Sequence, residues 1–137
     1  MIDRSSPKGA AVLERLETDP IGWLTTVTPA GQPQSMPVWF LWEDGEILFF
    51  SFRTAVRNRN LRANPRVSFH LGDRSGGEVV SIEGEARFDP DATPAGTYPP
   101  YVAKYGDRIE RGGWTADSFD ADYPHAVRIR PTRVTIE

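Results

Sequence analysis

Between Ser51 and Arg66 the chain carries five arginines, Arg53, Arg57, Arg59, Arg62 and Arg66, and no acidic residue, although the whole protein has a formal net charge of -3. A local cationic cluster in an acidic chain points to one anionic partner rather than to polyanions in general. The order of the side chains narrows this to phosphate. Ser51 closes an apolar run, Thr54 is placed to cap a helix over residues 55–63, and Asn64-Pro65 stops it. A strand end that feeds a helix N-terminus leaves backbone N–H groups pointing outward, where an anion can take them. Ser51, Arg53, Thr54 and Arg57 all lie at or within a turn of that point. Hydroxyls and guanidinium forks are the groups that hold phosphate oxygens well. The competing reading is a solvated helix whose arginines keep it soluble. The position at a strand-to-helix junction favours the anion site.

The surrounding pattern must supply the strands. Val38-Trp39-Phe40-Leu41-Trp42 precedes the cluster, followed by an Asp44-Gly45 turn and the ribbon Ile47-Leu48-Phe49-Phe50; Val67 to Leu71 alternates after it. Strands are expected at 22–28, 34–42, 47–51, 67–71, 78–88 and 126–136. Pro37 inside the second argues for an edge, a bulge, or an opened ladder. The third is apolar on both faces, so it is covered either by a barrel core and a helix or by a core and a partner subunit. That pattern is the sequence's argument for a dimer. Gly84 midway along the fifth suggests a sharp bend, and Pro131-Thr132 a register shift in the last. Residues 72–77 read as a loose turn. Pro7 to Thr18 reads as a leading helix capped by Ser5 or Ser6; 101–106 as a helix closed by Gly106; Thr115 as the cap of a short helix carrying Phe119. Six hairpin-connected strands, with helices inserted after the third and the fifth, describe a mainly β fold, a small antiparallel barrel.

Length and composition set the bounds. At 137 residues the chain is expected to form a single domain, with 1–19 as N-terminal helix, 22–88 as five strands around the helix at 55–63, 94–122 as a helical insertion and 125–137 as the last strand. The absence of cysteine excludes disulfides and thiolate chemistry. With His70 and His125 the only histidines, no transition-metal site is expected, and His70 reads as structural or solvent-facing. No apolar run approaches a membrane span and no signal-peptide core precedes Pro7, which points to a cytoplasmic protein with no membrane partner. A pI near 5.4 argues against a nucleic-acid partner. Aromatic content of 11%, with four Trp, suits a pocket for a flat ligand as well as a core.

Trp23-Leu24-Thr25-Thr26-Val27, Gly31-Gln32-Pro33, Pro37-Val38-Trp39-Phe40, Ser51, the run from Arg57 to Ser68 and Ile82-Glu83-Gly84 together resemble the pyridoxamine 5'-phosphate oxidase-like, FMN-binding split β-barrels. Tyr101 to Ile109 and Pro131-Thr132-Arg133-Val134 are most similar to the actinobacterial branch that uses the deazaflavin coenzyme F420. The resemblance runs from Leu16 onward. It implies a six-stranded split barrel, a homodimer with cofactor sites at the subunit interface, and an oxidoreductase acting on a small molecule. The cofactor phosphates would sit on Ser51, Arg53 or Thr54, and Arg57, and the ring along Met36, Pro37, Val38 and Trp39, with Phe50 beside them; Asn60 also fits the family pattern, as a turn-stabilising residue or as a further cofactor contact. The family usually carries Lys where this chain has Arg57, which keeps the charge and changes the geometry.

A deazaflavin performs the hydride step while the protein supplies position and electrostatics, so no nucleophile or metal cluster is required. Tyr98, Tyr101, Tyr105 and Trp114 could roof a substrate pocket from the partner chain, with Tyr101 or Tyr105 as proton donor, or could simply pack the inserted helix. Against an F420-dependent reductase stand three alternatives: an FMN-dependent oxidoreductase on the same barrel, a non-catalytic cofactor or haem carrier, and a small barrel that binds single-stranded RNA.

Overall fold

The computed structural model describes residues 2–72 and 79–137. The leading helix α1 spans Pro7–Thr18, with the Ser6 side chain accepting from the Gly9 N–H at 2.9 Å. Seven strands follow rather than six: β1 Gly22–Val27, β2 Pro33–Val38, β3 Leu41–Glu43, β4 Glu46–Ser51, β5 Arg66–Leu71, β6 Val80–Phe88 and β7 His125–Ile136. They form one sheet in the order β2-β1-β5-β6-β7-β4-β3, antiparallel at every pairing. The short helix α2, Val56–Ala63, joins β4 to β5; α3, Pro99–Arg111, and α4, Ala116–Asp122, lie between β6 and β7. The turn expected at 72–77 lies, beyond Gly72, outside the described residues.

The extra strand is a correction with a clear cause. The expected strand at 34–42 breaks at Trp39-Phe40, and its halves, β2 and β3, lie at opposite edges of the sheet. Two residues can carry the chain only about 10 Å. The edges must therefore curl toward each other, and that curl makes the split barrel. Phe40, fully buried, has no ladder partner at the break. Its N–H donates instead to the Tyr105 hydroxyl at 2.8 Å, and its carbonyl accepts from Lys104 Nζ at 2.9 Å. Two side chains of α3 thus replace the sheet's own hydrogen bonds.

Both faces of β4 are covered within the one chain. Ile47 and Phe49 enter the barrel core with Phe40, Phe69, Ile82 and Val127, on which α1 sets Val12, Leu13 and Leu16. Leu48 and Phe50 enter a second layer with Tyr101, Tyr105, Ile109 and Phe119 from α3 and α4. The two-faced pattern of β4 is therefore answered by the chain's own helices and gives no reason for a partner subunit. Helix α3 also runs past Gly106, where a stop was expected, to Arg111, with Gly112 as its cap. Tyr101, Tyr105 and Ile109 recur every four residues on its buried face, and that burial outweighs one internal glycine.

Several local expectations of turn, bend, edge and cap hold. Asp44 and Gly45 both take positive φ in the β3–β4 turn, as a two-residue hairpin requires. A side chain at Gly84 would meet the Arg130 carbonyl at 2.7 Å, and the β6–β7 register slips there, pairing Glu83 with Arg133 but Gly84 with Pro131. Pro37 sits on β2, an edge strand, the part of a sheet where a proline is tolerated. Thr115 caps α4 in a reciprocal capping box with Ser118. Among the described residues no helix is long and apolar enough to cross a membrane, and no group of three or more His, Asp or Glu side chains could hold a metal ion.

Candidate functional site

The junction between β4 and α2 is the place where polar groups are left over. Ser51, fully buried at the end of β4, has no partner for its Oγ. Arg57 Nε, Asn58 Oδ1 and Asn60 Oδ1 are likewise enclosed and unpartnered. Buried polar atoms are nearly always satisfied, so four orphans on one junction mark a site made for something else. Thr54 does not cap α2. Ala55 stands at the cap position with no side-chain hydrogen bond, so the N–H groups of Val56 and Arg57 have neither an intrahelical acceptor nor a cap.

Arg57 decides the character of the junction. It is half-buried and, among the described residues, makes no ion pair, while Arg15, Arg53, Arg87, Arg128, Arg130 and Arg133 each face a carboxylate within 4 Å. Burial draws its guanidinium below the ordinary arginine range, with the electrostatic influence of the nearby Tyr123 acting the other way. A partly desolvated cation with no carboxylate beside it costs stability that an anion from outside can restore.

Arg57 also lines two clefts. One, of about 180 Å³, is walled by Pro37, Val38, Trp39, Phe50 and Tyr101, and closed by Phe52, Trp114, Phe119 and Tyr123. The other, of about 320 Å³, runs along the outside of β2 past Leu24, Gln34, Met36 and Val56. Of the residues named from the sequence, Pro37, Val38, Trp39 and Phe50 line the first cleft and Met36 the second, with Arg57 shared between the two. Arg53 and Thr54 are exposed. Arg53 is turned to α4, its N–H donating to the Asp122 carbonyl at 2.8 Å and its guanidinium 3.8 Å from the Asp122 carboxylate. Asn60 is a positioning residue: its amide donates to Thr26 Oγ1 at 3.0 Å and Gln34 Oε1 at 2.9 Å, tying α2 to β1 and β2.

The two tyrosines considered as proton donors belong to their own chain's helix layer. The Tyr105 hydroxyl, fully buried, is committed to Phe40 and to the Pro20 carbonyl at 2.8 Å, and burial raises its pKa far above the usual range. It cannot reach a substrate. Tyr101 lines the cleft, but burial also holds its proton fast, which suits a wall rather than an acid. Trp39 stacks on Tyr105 at 5.0 Å, nearly parallel. Phe52 and Tyr123 were not singled out from the sequence; they stand in loops whose periodicity says nothing about direction.

The sequence profile of the pyridoxamine 5'-phosphate oxidase family matches residues 9–136. The chain belongs to that family. No curated protein matches it in sequence. Among solved structures, an F420 reductase is 28% identical, with a TM-score of 0.63, over 89% of this chain and 94% of the other. A conserved hypothetical protein from Mycobacterium tuberculosis is also 28% identical, with a TM-score of 0.67, over 96% of this chain and 83% of its own. HutZ, the haem storage protein of Vibrio cholerae, is 18% identical with a TM-score of 0.64 over 91% of each chain, and shares the fold alone. The split barrel is thus of the flavin-type cofactor-binding kind, and the donors at the β4–α2 junction fit the phosphate of such a group.

Proposed function

We propose that this protein is a coenzyme F420-dependent oxidoreductase, moving hydride between a deazaflavin and a small organic substrate with an activated double bond. The observation that carries the reading is Arg57: a partly desolvated guanidinium with no carboxylate partner among the described residues, at an uncapped helix N-terminus, beside an aromatic-walled cleft. The likeness to an F420 reductase at 28% identity supports the choice of cofactor. A bound deazaflavin supplies the hydride. The chain's own groups hold and orient it: Arg57 and the first N–H groups of α2 take the phosphate, and Pro37, Val38 and Trp39 form the wall along which the ring lies. The aromatic lining excludes water from the reacting face. The reading includes a homodimer whose second copy covers β2 and the trough beside Met36 and Val56, which are 55% and 58% exposed.

Titrating the protein with F420, FMN and haem, following the fluorescence of its four tryptophans, tests the cofactor. F420 should bind tightest, and Arg57→Ala should weaken it about ten- to hundredfold, as loss of a charge-assisted contact implies. Tighter binding of FMN or haem would overturn the cofactor assignment. Reduced F420 should then turn over on a panel of enones and imines; binding without turnover would make the protein a carrier.

A further inference from the structure

A larger cavity, of about 560 Å³, lies on the far side of Phe50 and Tyr123, the two residues it shares with the aromatic cleft. Its volume is that of an ordinary small-molecule pocket. Arg62, Phe88 and His125 line it together with the loop after β6. The Arg62 guanidinium lies over the Phe88 ring, 4.5 Å from its centroid, and the His125 imidazole meets the same ring edge-on at 6.2 Å. The cation and the imidazole are therefore gathered on one aromatic platform.

Two carboxylates also line this cavity, yet neither pairs with Arg62. Asp89 Oδ2 accepts from Arg128 Nε at 2.8 Å, and that guanidinium holds its carboxyl below the usual range. Asp120 Oδ1 accepts from the Gly96 N–H at 2.7 Å. Among the described residues Arg62 has no ion pair, and neither ring nitrogen of His125 has a hydrogen-bond partner. Asp89 is paired with Arg128 and Asp120 is turned to the Gly96 N–H, while Arg62 and His125 have no polar partner among the described residues, so the cavity's free donors are those of an anion receptor with flat apolar walls.

We propose that this cavity binds a small planar carboxylate, its carboxyl group on Arg62 and His125 and its body against Phe88 and Tyr123. The site is separate from the phosphate-holding junction and does not depend on which cofactor, if any, that junction takes. A guanidinium fork matches a carboxylate in shape, and an aromatic or conjugated body matches the ring walls.

Benzoate is the probe. Added to the full chain, it should shift the NMR signals of the His125 imidazole saturably and leave those of His70, the other histidine, in place. The neutral isostere benzamide should bind about tenfold more weakly, because the charge-assisted contact is missing. Arg62→Gln should weaken benzoate about tenfold and Arg62→Lys by less, while Arg57→Ala leaves it unchanged. Arg62 is exposed, so these variants should fold; thermal unfolding checks this, and the benzoate–benzamide pair on the unaltered protein decides the question if they do not. Equal affinity for the two probes, wild-type binding by Arg62→Gln, or a loss that follows Arg57 instead would overturn the proposal.

Discussion

At the scale of single residues, the protein keeps a guanidinium where its own stability is poorly served. Arg57 is desolvated, carries an unpartnered Nε and faces no carboxylate among the described residues. Replacing an unpaired buried charge by an apolar side chain of similar length is commonly stabilising. Arg57→Met should therefore raise the stability of the cofactor-free protein by about 1 kcal/mol, the lower end of the cost of an unsatisfied buried group. The same change should cost about tenfold or more in affinity for a phosphorylated cofactor. Thermal unfolding without ligand, set beside the fluorescence titration, reads both. A variant less stable than wild type would mean that Arg57 holds the fold and not a ligand. Opposite signs in the two measurements distinguish a binding residue from a structural one.

At the scale of elements, the break between β2 and β3 depends on α3. Tyr105→Phe removes the hydroxyl that accepts the buried Phe40 N–H and donates toward the Pro20 and Phe40 carbonyls. It should destabilise the protein by about 1–3 kcal/mol, the cost of a buried group left unmade, and slacken the Trp39 wall beside it. Lys104 tells the same story in its response to pH. Its ammonium lies 4.1 Å from the Phe40 ring centroid, and burial lowers its pKa from 10.5 to about 8 against the pull of Asp19. The folded pKa is thus below the unfolded one. Between about 8 and 10.5 the unfolded chain holds a proton that the folded chain has released, so this group's contribution to stability rises with pH across that window. Lys104→Met gives up the bond to the Phe40 carbonyl together with the desolvated charge, so its stability relative to wild type should fall as pH climbs through the window, where wild type gains and the variant does not. Unfolding curves that stay parallel from neutral to alkaline pH would show that the Lys104 charge is not strained. Neither dependence was legible in the sequence, because Tyr105 and Lys104 stand more than sixty residues from the bond they complete. Local signals fared better: the Ser6 cap, the Asp44-Gly45 turn and the Thr115 box each act within a few residues.

At the scale of the whole molecule, periodicity told which residues are buried but not what buries them. The strand at 47–51 reads as two-faced from its composition alone, whereas its second cover comes from Tyr101 to Phe119, far along the chain. The phosphate-suited junction was legible because Ser51 and Arg57 are near neighbours in sequence; at the aromatic end of the cleft Trp114 reads only as a roof from a partner chain or as packing for the inserted helix, and Tyr123, which arrives from the insertion after β6, was not legible at all. With β4 covered, the case for a homodimer moves to the other edge of the sheet. Five of the six residues of β2 are exposed, and β2 pairs on one side only, with β1. Trp23 on β1, Met36 on β2 and Val56 on α2 expose 38%, 55% and 58% of their surface. Apolar residues gathered on an unpaired edge favour a partner surface. If a second copy covers that edge, light scattering should give twice the 15.3 kDa of one chain at micromolar concentration. Met36→Glu would place a charge in the contact and should return the mass to that of one chain, with α1 and the barrel core untouched and the unfolding midpoint measured at low concentration unchanged. Because Arg57 lines the trough beside Met36, the monomeric variant should also bind the phosphorylated cofactor more weakly, without any change at Arg57 itself. A dimer that survives Met36→Glu would put the interface on another face, and a wild-type chain that scatters as one copy would leave the cofactor site to a single subunit.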